Sequence, residues 1–288
     1  MPELPEVEVT RRLLAPRILG RRIERAHCGA PSYFFLTPPR RLARDLEGRT
    51  VESLERAGKY LLMGLGDGHR LLMHLGMTGQ LFMEGSQSPR LINQPRRAPA
   101  KAAVPTRDPH LHLTLTFEDG PPGLWFRDVR KFGKVRWLAA GQTDERLDKL
   151  GPDALSADGD ALFDELEKRR VPVKTVLLDQ GVLAGVGNIY ADEALFHAGI
   201  RPGRVARRVT RAESVALAGE VRRVLARSIE TGGSSISDFI NPDGNDGHFQ
   251  DERRVYSRTG EPCFECGTLI VRMLIGQRSS HYCPKCQR

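Results

Sequence analysis

The first six residues, Met1-Pro2-Glu3-Leu4-Pro5-Glu6, combine groups that can carry out covalent chemistry. Proline is small enough at the second position for Met1 to be removed, which leaves a secondary amine at the chain end. An α-amino group titrates near pH ~8, so part of it is neutral and nucleophilic at physiological pH. Such an amine can attack an electrophilic sugar carbon and form a charged iminium, which is an electron sink for elimination. Glu3 and Glu6 are close enough in sequence for proton transfer.

The same residues also fit a purely structural role. Pro5 suits the first turn of a helix, and the two glutamates favour the positive end of that helix. The residues alone leave both interpretations open.

Four of the five cysteines form a second candidate site near the end of the chain. Cys263-x2-Cys266 is followed by sixteen residues and then by Cys283-x2-Cys286. This spacing is typical of a zinc ribbon, in which each pair supplies two thiolates. Two disulfides are the alternative, but CxxC pairs make poor structural disulfides and no export signal is present. We predict one Zn²⁺ with a structural role, since four thiolates leave no open position, and a buried Cys28.

The charge and composition narrow the class of protein. The 288 residues carry 44 Lys+Arg against 36 Asp+Glu, a net charge of +8 that fits a nucleic-acid partner. Codon bias towards arginine is the alternative explanation of this excess. No run reaches the ~18 apolar residues of a membrane span, and the acidic opening differs from a signal peptide. We therefore expect a cytoplasmic protein with no membrane partner.

Hydrophobic periodicity predicts a mostly β first half after one helix. The helix covers residues 6–19, with Pro16 making its second half uncertain. Strands are predicted at Tyr60–Leu65, at Leu71–Leu75 and, from strict alternation, at Leu111–Phe117. Residues 86–108 are rich in Pro, Arg and Ala without periodicity, and predict a mobile surface loop.

The second half is predicted to be helical. One helix covers residues 189–198, and another begins at Thr210, where Glu213 completes a capping box. The pattern changes near residues 145 and 240. We therefore predict three domains, at 1–145, 146–239 and 240–288.

Several motifs stand in an order that is typical of one family. They are PELPEVE at the start, AGKY at 57–60, HLGMTG at 74–79, DVRKFG at 128–133, GVGNIY at 185–190 and the four cysteines. In these motifs the chain resembles the bacterial formamidopyrimidine-DNA glycosylases, repair enzymes that remove 8-oxoguanine and ring-opened purines. The resemblance covers nearly the whole chain except residues 86–108.

The resemblance implies an α+β, multidomain fold. Its parts are an N-terminal β-sandwich with flanking helices, a helical helix–two-turn–helix domain and a C-terminal zinc-finger β-hairpin. The partner would be damaged double-stranded DNA, bound by a monomer in a cleft between domains. The reaction would be base excision followed by β- and δ-elimination, without a nucleotide cofactor.

The resemblance also assigns roles to individual residues. Pro2 would form the Schiff base, and Glu3 would act as general acid/base. Lys59 and Arg278 would contact phosphate and donate protons during elimination, although Lys59 also fits an ordinary strand-edge lysine. Glu6 would lie near the lesion pocket.

The remaining DNA-binding residues follow from the same motifs. Met77, Arg130 and Phe132 would fill the hole left by the extruded nucleotide, with Arg130 facing the opposite base, preferentially cytosine. Core packing is the alternative for Met77 and Phe132, but Gly76 and Gly79 favour an exposed turn. His74, Lys174 and Asn188 complete the predicted DNA-binding set, and Thr231–Asp238 would close over the lesion. For Asn188 a tight loop is the alternative.

Two other functions remain possible at this point. The related endonuclease VIII class removes oxidised pyrimidines, but its members resemble PEGPE at the start, whereas position 4 here is Leu. They also lack the Leu-Gly-Met of positions 75–77. A non-catalytic zinc-containing DNA-binding protein is the second alternative, and it would be favoured if Met1 were retained.

Overall fold

The computed structural model describes residues 1–86, 108–236 and 239–288. The loop predicted over 86–108 therefore falls almost entirely outside the described residues, as do Ser237 and Asp238 of the segment predicted to cover the lesion. The chain divides into two compact units, residues 1–145 with 231–248 and residues 146–230 with 249–288. The three-domain division drawn from sequence stays a prediction.

Helix α1 opens the first unit and spans Leu4–Ile18. Glu3 stands at its N-cap position and Pro5 lies in its first turn, where a missing N–H costs nothing. The helix continues through Pro16, so the doubt raised by that proline was unfounded. Leu4, Val7, Leu14 and Ile18 recur at helical spacing and are almost fully buried.

Among the described residues of this unit, eight strands form two antiparallel sheets. Their bounds are β1 Ile23–Cys28, β2 Val51–Ala57, β3 Tyr60–Leu65, β4 Arg70–His74, β5 Gly79–Met83, β6 Leu111–Phe117, β7 Leu124–Asp128 and β8 Lys134–Leu138. One sheet has the order β1-β6-β7-β5 and the other β2-β3-β4-β8. Side chains from both sheets and from α1 share one core, which confirms the β-sandwich. Burial of each large apolar side chain in it contributes about 1.5–3 kcal/mol.

A second helix of this unit, α2 at Pro39–Leu46, was not predicted from the sequence. Only Leu42 and Leu46 of its eight residues are buried, so the apolar signal is a single i, i+4 pair. Three of the other six residues are arginines, and the rest are Pro39, Ala43 and Asp45, so no further large apolar residue reveals the period.

Two chain connections pass between the sheets side by side. Residues 75–78 join β4 to β5, and residues 129–133 join β7 to β8. The strand ends that flank them are paired, since Gly79 lies opposite Asp128 and His74 lies opposite Lys134. The two connections therefore emerge together at one edge of the sandwich.

The second unit is helical with a terminal hairpin. Its helices are α3 Glu145–Asp148 at the boundary, α4 Gly159–Leu166, α5 Val173–Leu177, α6 Asn188–His197 and α7 Arg211–Glu230. The predicted capping box precedes α7: the Thr210 N–H donates to Glu213 Oε2 at 2.8 Å, and the Glu213 N–H donates to Thr210 Oγ1 at 3.3 Å. Strands β9 Val271–Ile275 and β10 Arg278–Tyr282 pair antiparallel and form the hairpin.

None of the helices within the described ranges is both long enough and apolar enough to cross a bilayer.

Candidate active site and nucleic-acid interface

Pro2 lies directly before α1 and is buried together with two carboxylates. The side chains of Glu3 and Glu6 are 3% and 1% exposed. They form a reciprocal capping box, in which the Glu3 N–H donates to Glu6 Oε2 at 2.8 Å. While Met1 is attached, the Pro2 nitrogen is an amide and cannot attack. Removal of Met1 creates the amine, within one residue of a buried carboxylate.

Glu6 also holds the segment that was predicted to cover the lesion. Its Oε1 accepts the Ser234 N–H at 2.8 Å. Gly233 has φ +87°, and a Cβ there would lie 3.2 Å from Glu6 Oε1 and 3.1 Å from Phe239 Cε1. Both the backbone conformation and the space therefore favour glycine at this position. One carboxylate connects the start of the chain to residues 233–234.

Lys59 is held near α1 by an ion-pair bridge. It stands with Gly58 in the two-residue turn between β2 and β3, and is 8% exposed. Arg56 donates to the Gly58 carbonyl and to Glu8 on α1, both at 3.1 Å. Burial favours a raised pKa for Glu8, but hydrogen bonds from Arg11, Arg12 and Arg56 outweigh it and lower the pKa to about 2. The turn that carries Lys59 is thus tied to α1 by a permanently charged pair.

His74 is neutral and its protonation pattern follows from one hydrogen bond. Its Nδ1 accepts the Gly76 N–H at 3.0 Å. Burial lowers the His74 pKa to about 4, and the charges of Lys59 and Lys134 act in the same direction. The proton of the neutral ring therefore resides on Nε2, which leaves a neutral N–H donor beside Lys59.

The turns at 75–78 and 129–133 are in backbone contact. Gly76 has φ +62°, and a Cβ there would lie 2.4 Å from both Gly133 N and Phe132 C. The buried Asp128 carboxylate joins the two turns by accepting Thr78 Oγ1–H at 2.5 Å and Gly133 N–H at 2.7 Å. The sequence motifs around these residues therefore supply one rigid double turn.

The double turn presents the three predicted insertion residues to solvent. Met77 is 37% exposed and Phe132 is 42% exposed, which excludes the core-packing interpretation for both. The Arg130 guanidinium lies 4.8 Å from the centre of the Phe132 ring. An exposed thioether, an aromatic ring and a planar cation on one rigid edge can replace a base in a stack and contact its orphaned partner.

Sequence reasoning missed Tyr33 in the segment between β1 and α2. It is 57% exposed, although the neighbouring Phe34 and Phe35 are buried. Its ring centre lies 6.3 Å from that of Phe132, and its hydroxyl donates to the Arg130 carbonyl at 2.7 Å. Three consecutive aromatics give no periodicity that marks one of them as exposed, so the sequence held no signal for this contact.

In the second unit, Asn188 and Arg278 lie on elements that are joined directly. Asn188 is the first residue of α6, and its Nδ2 donates to the Ser279 carbonyl at 3.0 Å. Arg278 is exposed and begins β10, one residue earlier than that acceptor. A helix N-terminus beside an exposed arginine is a suitable arrangement for phosphate. The tight-loop interpretation of Asn188 accounts for the glycines before it but not for this link.

Lys174 was predicted among the DNA-binding residues, but its position in the structure does not support a direct contact with DNA. Its side chain is completely buried, and Nζ lies 2.6 Å from Asp192 Oδ1 on α6. It also donates to the Ser279 carbonyl at 3.0 Å and to Ser280 Oγ at 2.8 Å. A cation in this position cannot reach phosphate. It fastens α5, α6 and β10 together and so positions Asn188 and Arg278.

The four predicted zinc ligands converge. Their sulfur atoms lie within 4.8 Å of one another, with Cys263 and Cys286 3.9 Å apart and Cys266 and Cys283 3.5 Å apart. Thiolates around a tetrahedral Zn²⁺ with ~2.3 Å bonds are about 3.8 Å apart. The donor set fits one structural zinc, which holds the ends of the β9–β10 hairpin. Cys28, the fifth cysteine, is half-buried, and burial raises its thiol pKa to about 11, with Glu47 adding to the rise.

Comparison with known proteins agrees with this arrangement along the whole chain. Residues 1–135 match the model of the formamidopyrimidine-DNA glycosylase N-terminal domain, residues 150–240 that of its H2TH domain, and residues 260–288 a zinc finger found in FPG and IleRS. The formamidopyrimidine-DNA glycosylase of Paraburkholderia phymatum is 44% identical over 100% of both chains. That of Symbiobacterium thermophilum is 42% identical over 100% of this chain and 89% of the relative.

Solved structures show the same likeness. The crystal structure of MutM (Fpg) from Thermus thermophilus has a TM-score of 0.83 at 38% identity, covering 99% of this chain and 98% of that one. A mutant Lactococcus lactis Fpg in complex with Fapy-dG-containing DNA has a TM-score of 0.84 at 34% identity, with both chains fully covered. The chain belongs to the formamidopyrimidine-DNA glycosylase family, whose members act on damaged DNA.

Proposed function

We propose that this chain, once Met1 is removed, excises 8-oxoguanine and formamidopyrimidines from duplex DNA and then cleaves the strand as an abasic-site lyase. It would act in base excision repair, as a monomer in the bacterial cytoplasm that associates with the nucleoid on DNA. The single observation that carries the proposal is the position of Pro2. Pro2 is buried and directly precedes Glu3, the N-cap residue of α1, whose carboxylate forms a buried capping box with Glu6.

The first chemical step needs a nucleophile and a proton path. The neutral Pro2 amine attacks C1′, the glycosidic bond breaks, and the base leaves with the bonding electrons and takes up a proton. Glu3 is the buried carboxyl group that we assign to proton transfer at the sugar. The Pro2 nitrogen then loses its proton, and the C1′–O4′ bond breaks as O4′ takes up a proton, which opens the sugar ring and gives the iminium with Pro2.

The iminium then drives strand cleavage. Loss of a proton from C2′ expels the 3′ phosphate, and a second elimination expels the 5′ phosphate, so the gap carries phosphate at both ends. Both leaving groups are phosphates that need cations or N–H donors nearby. We assign these roles to Lys59, to the Nε2–H of neutral His74, to Asn188 and to Arg278. In the same proposal Met77, Arg130 and Phe132 occupy the vacated position in the duplex.

Borohydride trapping tests the proposal directly. Reduction of the iminium should leave a stable covalent complex on a duplex containing 8-oxoguanine opposite cytosine. Pro2→Gly should lose most of this complex, and protein that retains Met1 should form none. Cys28→Ala is the matched control, since a half-buried thiol with a pKa near 11 is not a competing nucleophile. Equal trapping by protein with and without Met1 would refute the assignment of the amine.

The same assay separates the alternative substrate class. Duplexes with thymine glycol in place of 8-oxoguanine should be trapped much more slowly. Faster trapping on thymine glycol would instead support the activity of the endonuclease VIII class. No trapping on either duplex by Met1-free protein would support a non-catalytic DNA-binding role.

A further inference from the structure

We propose that Tyr33 is a positioning residue for Arg130 and thereby sets how strongly the enzyme discriminates between bases opposite the lesion. This inference rests on the proposed function, in which Arg130 contacts the opposite base. The motifs at 74–79 and 128–133 do not include Tyr33. It lies in the segment between β1 and α2, and its hydroxyl group donates a hydrogen bond to the double turn.

The backbone of Arg130 is held on both sides. Its N–H donates to Thr78 Oγ1 at 3.1 Å and to Asp128 Oδ1 at 3.3 Å. Its carbonyl accepts the Tyr33 hydroxyl at 2.7 Å. The first two bonds fix the N-terminal side of the residue, and the Tyr33 bond, together with a longer one from the Lys131 N–H to the Asp128 carbonyl at 3.4 Å, fixes the C-terminal side. Both are needed to fix the direction in which the Arg130 side chain leaves the turn.

The peptide held by Tyr33 leads into an unfavourable backbone conformation. Lys131, the next residue, has φ +58° although it is not glycine. Residues in this region persist where their surroundings determine the backbone from several sides. After Lys131 the chain is fixed again by the bond from Gly133 N–H to Asp128 Oδ2 at 2.7 Å. Without the Tyr33 hydroxyl, the peptide between Arg130 and Lys131 keeps the 3.4 Å bond from the Lys131 N–H but loses the shorter bond to its carbonyl.

The Tyr33 ring has a second contact with the same group. It lies 6.3 Å from the Phe132 ring, whose other neighbour is the Arg130 guanidinium at 4.8 Å, and Lys134 Nζ lies 4.9 Å from the Tyr33 ring centre. At 57% exposure Tyr33 contributes little to the core, so its removal should leave the sandwich intact. Buried Phe34 and Phe35 on its C-terminal side keep its own backbone in place.

A planar guanidinium discriminates between bases by the direction of its donors. Movement of the turn should therefore reduce discrimination more than it reduces binding. For the loss of one hydrogen bond we expect the ratio of excision rates opposite cytosine and opposite adenine to fall about three- to tenfold. Binding to undamaged duplex should change by less than about twofold, because the phosphate contacts that dominate it are untouched.

Tyr33→Phe tests this, since it removes the hydroxyl and keeps the ring. The assay is single-turnover excision of 8-oxoguanine opposite cytosine and opposite adenine, repeated in an Arg130→Ala background. We expect Tyr33→Phe to lower the ratio in the parent and to have no further effect in Arg130→Ala. Tyr282→Phe, which removes the hydroxyl group of a tyrosine on β10, is the control and should leave the ratio unchanged. The melting temperatures of Tyr33→Phe and Tyr282→Phe should agree with that of the parent to within about 2 °C.

The outcomes separate the inference from the function beneath it. An unchanged ratio in Tyr33→Phe, with Arg130→Ala losing discrimination, would overturn the role of Tyr33 and leave the proposed function standing. An equal fall of the ratio on Tyr33→Phe in the parent and in Arg130→Ala would also overturn the role of Tyr33, since Tyr33 would then act independently of Arg130. A parent enzyme without preference for cytosine, unchanged by Arg130→Ala, would instead refute the assigned role of Arg130.

Discussion

Replacement of Lys174 by methionine should destabilise the second unit without removing a DNA contact. The lysine forms a fully buried ion pair with Asp192 at 2.6 Å and donates to two acceptors on β10. Methionine fills similar space but leaves the Asp192 carboxylate in the interior without its cation. Asp192 Oδ2 still accepts the His281 backbone N–H at 2.9 Å and lies 3.1 Å from His281 Nδ1, so its charge is only partly compensated.

The size of the effect follows from this geometry. Removal of one partner from a buried ion pair costs about 3–5 kcal/mol, because the other charge stays desolvated. For a unit of this size that corresponds to a melting temperature lower by roughly 10–20 °C. A second change, Asp192→Asn, removes the orphaned charge while an amide oxygen can still accept the His281 N–H. We expect the double variant to recover at least half of the loss.

Calorimetry of zinc-loaded protein measures these shifts, and DNA affinity across a salt series supplies the second readout. If Lys174 contacted phosphate, Lys174→Met would keep its melting temperature and lose about one unit of the slope of log K against log salt. We expect the reverse. A shift below 3 °C, or a double variant no more stable than Lys174→Met, would refute the reasoning about the buried pair.

Three further predictions follow from other contacts. Gly76→Ala should lower the excision rate by more than about tenfold, because its Cβ would lie 2.4 Å from Gly133 N. Gly141→Ala is the control, since Gly141 has a similar φ of +73° and open space around it, and it should change the rate less than twofold. Equal excision rates in the two variants would contradict the prediction. Because His74 has a folded pKa of about 4 against an ordinary value of 6.5, the unfolded chain binds the extra proton, and stability falls as pH drops from 6.5 towards 4. Urea unfolding should show a loss of up to about 3 kcal/mol over this range that is absent in His74→Asn. Parallel stability–pH curves for the parent and His74→Asn would contradict the prediction. Cys266→Ser should lower bound zinc, measured by elemental analysis, well below one ion per chain and should weaken DNA binding. The control Cys28→Ala should retain one ion. Unchanged zinc in Cys266→Ser would exclude the four-thiolate site.

Local sequence patterns predicted much of the fold. Strict alternation placed β6 at Leu111–Phe117 with both ends correct, because one face of that strand packs into the sandwich. The Thr210–Glu213 pair located the start of α7, since a capping box depends on residues three apart. The cysteine spacing gave the metal site for the same reason. Helix α2 was missed because two buried leucines are too few to reveal a period.

Roles that depend on a distant partner were not accessible from the sequence. Nothing near Lys174 in the sequence shows that Asp192 will meet it in the interior, so the family resemblance placed this lysine among the DNA-binding residues. The neutral state of His74 needs the burial and the two cations that only the folded sandwich brings together. Tyr33 is separated from Arg130 by 97 residues, and a single hydrogen bond connects them.

The identity of the covalent nucleophile is the central claim, and mass spectrometry of the trapped complex tests it most directly. After borohydride reduction on 8-oxoguanine duplex and digestion of protein and DNA, the adduct should be found on a peptide that begins at Pro2. Fragmentation should place the sugar remnant on the Pro2 nitrogen. An adduct on Lys59 or another lysine side chain, with an unmodified N-terminal peptide, would contradict the account.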